Sequence, residues 1–335
     1  MDKTMGKEKY ITYSKAIAAI SVVLYHTWGS MSINPEVLGK ILLFFYTTHV
    51  PTFMLISGYL YSKYTVRHEL KYRIYKLLNL FLSFIAYIFI LSLFRIVLYS
   101  IGDSGKSLKE IFVLTAHNMW YFPVLCISIV LLEIIRKLDK GRVVVFLSAI
   151  LILSFTDIIL LYKLPSVGKI LVYIMIFLIG TLWSIDRNKA ISCISINMVM
   201  WLFFVFFFNI VDISSEGSSG LELCFMMLMT VCGASLIPAI VFLVINSSKS
   251  KEANINALDR VLSVICKNTQ LIYFFQFFII IIVEFLRDKE IVECSVINCL
   301  LYSLLCFSFA LIMSNNVSKK SWLSRIFLSP ITYHY

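Results

Sequence analysis

The sequence predicts an all-α, polytopic membrane protein with about ten transmembrane helices and both termini in the cytoplasm. Three observations lead there. Of the 335 residues, 60% are hydrophobic and only 15% charged, and the mean hydropathy is +0.88; a water-soluble domain carries far more polar surface. The apolar residues gather in runs close to the roughly 20 residues that a helix needs to cross a bilayer. The basic residues stand in short segments between those runs, with a strong bias to alternate segments.

The predicted runs cover residues 10–29, 38–62, 74–99, 119–135, 143–162, 167–185, 193–210, 221–246, 268–286 and 291–314. With the N-terminus inside, the inside segments hold about three times as many lysines and arginines as the outside ones, which supports both ends inside. The segment VDISSEGSSGLE at 211–222 has acidic residues and no basic ones, as an outside loop should. The net charge of +11 is spread over these short loops, so it argues for topology rather than for nucleic acid. The eight cysteines are scattered through apolar runs without a C-x-x-C pair, so neither a metal site nor a disulfide framework is expected. The first run lacks a small-residue cleavage site, so no cleavable signal peptide is expected. The loops are too short for a soluble domain, and residues 1–335 parse as one transmembrane domain.

The first run, YITYSKAIAAISVVLYHTW at 10–28, carries two ionisable residues, Lys15 and His26. Eleven residues apart, they share a helix face and stand about 16 Å apart along the axis. Ala18, Ala19 and Val22 keep that face narrow. Ionisable groups inside a span are costly unless they meet protein, water or substrate. Lys15 either snorkels to the interface or serves a ligand; His26 is either a hydrogen-bonded structural histidine or a functional one.

Three further stretches stand out. THVPTFMLISGYLYSKY at 48–64 combines His49, Pro51, Ser57 and Gly58. Pro51 should kink or break the second span, and Gly58 permits close helix contact. The stretch is either a kinked helix packed through small residues or part of a binding cavity. RHELKYRIYKLL at 67–78 brings Arg67, Lys71, Arg73 and Lys76 to the inside face, where they pair either with anionic membrane lipid or with a phosphate-bearing ligand. HNMWYFPVL at 117–125 opens the fourth span with His117, Trp120 and Tyr121, either as an interfacial aromatic belt or as a stacking surface for a sugar ring. Arg95, near the outer end of the third span, is expected to snorkel, and Gln270 and Gln276 to bond between helices.

In that order, these stretches resemble the integral-membrane acyltransferase 3 family, most closely its bacterial sugar and polysaccharide O-acetyltransferase branch, which includes fucose 4-O-acetylase-like proteins. The family opens with a basic residue, ten intervening residues and a histidine, here Lys15 and His26, with lysine where arginine is usual. Its F-F-x-x-S-G motif, preceded in this branch by H-x-P, is matched by His49, Pro51, Phe53, Ser57 and Gly58, with Met54 for the second Phe. Its R-x-x-R looks like Arg73 to Lys76, and its W-Y/F-L segment is similar to HNMWYF. The likeness is collinear over about residues 10–125.

The resemblance implies acetyl transfer from cytoplasmic acetyl-CoA, a co-substrate rather than a bound cofactor, to a hydroxyl of a cell-surface glycan or its lipid-linked precursor, with no metal and in a bacterial plasma membrane. It implies His26 as general base or acetyl acceptor, Lys15, Arg73 and Lys76 as donor contacts, and His49, Ser57, His117, Trp120 and Tyr121 as acceptor contacts. Many family members carry an added extracytoplasmic domain. None is found in this chain, so transfer is expected from the bundle itself or through a partner. A glycan or glycolipid transporter fits the spans and the broken second helix equally well, but the chain offers no matching pair of broken helices in two halves. A membrane anchor without catalysis is the third reading.

Overall fold

The computed structural model describes residues 3–31, 35–101, 107–136, 165–207, 220–247, 255–292 and 295–319. No strand occurs among them. The helices are α1 (Lys3–Ser30), α2 (Pro35–Lys63), α3 (Leu70–Ile101), α4 (Leu108–Asn118), α5 (Tyr121–Ile135), α6 (Pro165–Thr181), α7 (Arg187–Phe207), α8 (Gly220–Gly233), α9 (Leu236–Ser247), α10 (Ile255–Lys267), α11 (Thr269–Asp288) and α12 (Val296–Lys319).

Five segments among the described residues are long and apolar enough to cross a membrane: Gly39–Arg67, Leu70–Ser100, Cys224–Ser247, Thr269–Asp288 and Val296–Val317. The pair α4 and α5, bent by 57° at a short break, makes a sixth. Helix α1 occupies the first predicted run, but its serines, threonines, Lys15 and His26 keep it out of that group. The predicted span at 143–162 lies outside the described residues. The face of α3 carrying Leu78, Leu82, Ile85, Phe89, Leu93 and Val97 is exposed. Spacings of three and four place them on one stripe, as expected of a helix flank facing hydrocarbon.

The described helices fall into two contact-dense units. Unit 1 takes Met1–Ala18, Asn34–Arg67 and Ile127–Ser263; unit 2 takes Ala19–Ile33, His68–Cys126 and Val264–Tyr335.

In unit 1, α2 packs on α6, α8 and α9. Small residues set how close they come. A Cβ on Gly58 would overlap the Phe177 carbonyl of α6, and one on Gly180 would overlap the Leu55 carbonyl of α2, so the two backbones touch reciprocally. The predicted effect of Pro51 is only partly realised, since α2 runs unbroken through it. Proline supplies no N–H, so the carbonyl of Thr47 four residues back loses its helical donor. Gly233 of α8 sits directly against that oxygen. The mirror situation holds where α8 gives way to α9. Pro238 releases the carbonyl of Ala234, and the hydroxyl of the fully buried Thr52 on α2 donates to it at 3.2 Å. The predicted eighth span is thus two helices, with Gly233 and Pro238 at the break. Asp186 caps α7, accepting from the Lys189 backbone N–H at 2.9 Å; that bond first, and the Lys189 charge after it, hold its carboxyl below the usual carboxylate range.

In unit 2, α11 packs on α3 and α12, and α4 packs on α3. Residues 100–118, read from the sequence as a loop, hold α4. Its start is a capping box: the Ser107 hydroxyl accepts from the Glu110 backbone N–H at 3.3 Å, and the Glu110 carboxylate accepts from the Ser107 N–H at 2.7 Å. Two polar expectations are corrected here. Arg95 does not snorkel; it is fully buried and its Nη2 lies 3.2 Å from the Glu284 carboxylate of α11, an opposite charge that pairs it inside the unit. Gln270 does bond between helices, donating to the Tyr87 hydroxyl of α3 at 3.2 Å. The fully buried Gln276 amide has no hydrogen-bond partner among the described residues.

Candidate active site

The candidate site in unit 2 is built around His26, which is half-buried near the C-terminal end of α1. The helix end is fixed from both sides of its chain neighbours. The Trp28 indole N–H donates to the Ser303 hydroxyl of α12 at 3.0 Å. Arg287, at the end of α11, donates to the Ser30 carbonyl, one of the orphan acceptors at a helix C-terminus. Against this anchored end, the His26 ring lies 5.2 Å from Phe277 and 6.5 Å from Tyr273, centroid to centroid.

Tyr273 is the residue that the sequence reading missed. Its hydroxyl donates at 3.0 Å to the Asn118 carbonyl, the exposed end of the α4 ladder. Its ring lies 6.0 Å from Tyr121 and 5.6 Å from Phe122. One buried tyrosine therefore ties the histidine of α1 to the break between α4 and α5. The break itself is formed by the HNMWYF stretch. Fully buried Met119 closes the last turn of α4 through its N–H to the Ala116 carbonyl at 3.1 Å. Trp120 and Tyr121 are half-buried there, while His117 is exposed on the last turn of α4. So the structure brings His26 and Tyr121 together on Tyr273. His117 stays on the exposed side of the same turn region.

Arg73 and Lys76 sit in the first two turns of α3, on one face by their spacing of three. Arg73 is half-buried. Lys76 is buried, with its Nζ 4.8 Å above the Tyr72 ring, which offsets part of the cost of desolvating an ammonium. Tyr87, stacked on Phe274 at 4.3 Å, lies eleven residues further along α3. The two cations are therefore about 16–21 Å from the aromatic cluster along the helix axis.

The other predicted residues belong to unit 1. Lys15 is half-buried on α1, and Ser57 is half-buried on α2. His49 is buried, and its Nδ1 bonds the Phe45 carbonyl one turn back. Unit 1 also holds a cavity of about 320 Å³ lined mostly by apolar groups, among them Phe44, Trp201 and Met229; no pattern in the sequence announces it.

A family model described as an acyltransferase domain, Acyl_transf_3, matches residues 8–314. The chain belongs to the acyltransferase 3 family. No curated protein and no solved structure matches it. The match takes in α1 through most of α12, so the likeness carried by residues 10–125 extends over the apolar second half. This member of the acyltransferase 3 family is a membrane acyltransferase. Among its described residues, no group of three or more His, Cys, Asp and Glu is placed to hold a metal ion.

Proposed function

We propose that this acyltransferase moves an acetyl group from cytoplasmic acetyl-CoA to a hydroxyl of a cell-surface glycan or of its lipid-linked precursor. It would do so in a bacterial plasma membrane, with about ten spans and both termini inside. The observation that carries the reading is the family match, joined to His26, an imidazole set among Tyr273 and Phe277 in a protein of membrane-spanning helices.

In this reading His26 takes the proton from the acceptor hydroxyl as its oxygen attacks the thioester carbonyl, and the CoA thiolate leaves. In the two-step variant His26 itself attacks, the thiolate leaves, and the acetyl-imidazole then passes its acetyl group to the hydroxyl. Arg73 and Lys76 take the anionic head of the donor. Their axial distance from the aromatic cluster suits a donor whose reactive thioester lies at the end of a long, thin arm. Trp120 and Tyr121 offer ring faces to a sugar at the break between α4 and α5, with His117 beside them on the last turn of α4. Lys15, His49 and Ser57 enter the proposal on their motifs alone.

The test uses inverted membrane vesicles, radiolabelled acetyl-CoA and an acceptor glycan. Label is expected in glycan or in lipid-linked sugar. With the protein inserted and acceptor present, the absence of label overturns the proposal, and flux of unmodified glycan would then identify a transporter. Arg73→Ala is expected to raise the KM for acetyl-CoA by about tenfold, the loss of one charge-assisted contact, with a smaller change in kcat. An unchanged KM would reduce the segment to a topology signal. Lys15→Arg should retain activity and Lys15→Ala should lose it, because the reading needs the charge; equal rates in the two would make Lys15 a snorkelling residue.

A further inference from the structure

Unit 2 holds a polar cluster that the chemistry above does not use. Arg95 of α3 is fully buried, and only its Nη2 is engaged, by Glu284 of α11 at 3.2 Å. Its Nε and Nη1 have no hydrogen-bond partner among the described residues, and neither does the hydroxyl of fully buried Ser92. Ser92 and Arg95 are three residues apart, so they share one face of α3. A buried guanidinium with unmade bonds is expensive, and a membrane interior makes it more so. Polar groups left in this state point to a ligand that completes them.

The charge of the cluster selects the ligand. Arg95 and Glu284 cancel, so an ionic guest would leave an unbalanced charge in a low dielectric. A neutral polyol would not. A ring hydroxyl can accept from the free guanidinium N–H groups and donate to the carboxylate, while the Ser92 hydroxyl does either. Glu284 keeps 25% of its side chain exposed, which gives a guest a way in. Phe94, one residue before Arg95, and Phe278 of α11 are in ring contact at 5.0 Å, so α3 and α11 meet beside the ion pair.

Position then assigns the role. Glu284 is seven residues after Phe277, so both lie on one stripe of α11, two turns and about 10 Å apart. The His26 ring is against Phe277. We infer that Arg95, Glu284 and Ser92 form a neutral sugar-binding subsite that holds the residue of the acceptor glycan next to the one acetylated. The assignment to the acceptor rests on the function proposed above; the sugar binding does not.

The test reads binding directly, with the full chain in nanodiscs and a panel of methyl glycosides and disaccharides of the common hexoses, by saturation-transfer NMR. At least one disaccharide is expected to bind. Arg95→Gln and Glu284→Gln should each weaken it by about tenfold, and Ser92→Ala by less. If Arg95→Gln fails to fold, Arg95→Lys in a Ser92→Ala background keeps the ion pair and tests the same donors. Acetyl-CoA binding, measured in parallel, should be unchanged in every variant. Failure of all sugars to bind wild type, or equal binding by wild type and variants, overturns the subsite. Sugar binding that depends on Arg95 in a protein that ignores acetyl-CoA would keep the subsite and overturn the acyl-transfer reading.

Discussion

In His26→Ala, acetyl transfer is expected to fall by about 10²–10⁴-fold, the range associated with losing a positioned acid–base group, while the protein still folds and inserts. The fold argument is specific. The His26 ring meets Phe277 and Tyr273, and one such aromatic contact is worth about 0.5–1.5 kcal/mol. Tyr273 keeps its bond to the Asn118 carbonyl and its contacts with Tyr121 and Phe122. Trp28 and Ser30 continue to anchor the end of α1. The measurement is label transfer per inserted molecule, compared with wild type. A wild-type rate would remove His26 from the chemistry. Acid-quenching wild type with labelled acetyl-CoA in the absence of acceptor separates the two mechanisms, since only the two-step route leaves label on the protein.

The second large effect is structural. Gly58→Ala should destabilise the protein by about 1–3 kcal/mol, as overpacking does, and Gly29→Ala should not destabilise it. The added methyl at 58 would run into the Phe177 carbonyl, a backbone atom with no rotamer to give way. At Gly29 nothing lies within 4 Å, and alanine is the better helix former. Thermal unfolding in detergent, read beside wild type, checks the pair. Equal midpoints for the two variants would mean that α2 and α6 separate more easily than their contact implies.

The helical, membrane-spanning character of the fold is legible in the sequence because hydropathy reports directly on lipid and water. The sites where a helix stops were harder. The break at 234–235 was invisible to an apolar-run count, although Gly233 and Pro238 stand beside it. The helix at 108–118 falls outside the apolar runs, although S-x-x-E at Ser107 and Glu110 marks its start. Of the candidate site, His26 and the aromatic stretch at 120–121 could be named, since an imidazole inside a span and a W-Y pair at its edge are conspicuous. Tyr273 could not. It is one aromatic among many in IYFFQFFII, and only the three-dimensional packing shows which ring meets the histidine and which hydroxyl finds the Asn118 carbonyl. The burial of Arg95 is hidden from the sequence for a related reason. Snorkelling is the default for an arginine near a span end, and its partner Glu284 lies 189 residues away in the chain.

The two prolines of unit 1 bear on how the bundle assembles. In lipid, α2 and the α8–α9 pair would each enter the bilayer with one backbone acceptor that its own helix leaves unserved. The Ala234 oxygen is served by Thr52, and the Thr47 oxygen is covered by Gly233. These wounds are complementary and close together only when the helices meet at a single axial height. Slippage by one turn would reopen both. Pro51 and Pro238 thus act as address labels: they make each segment a worse helix alone, and in doing so determine which neighbour it accepts and at what depth.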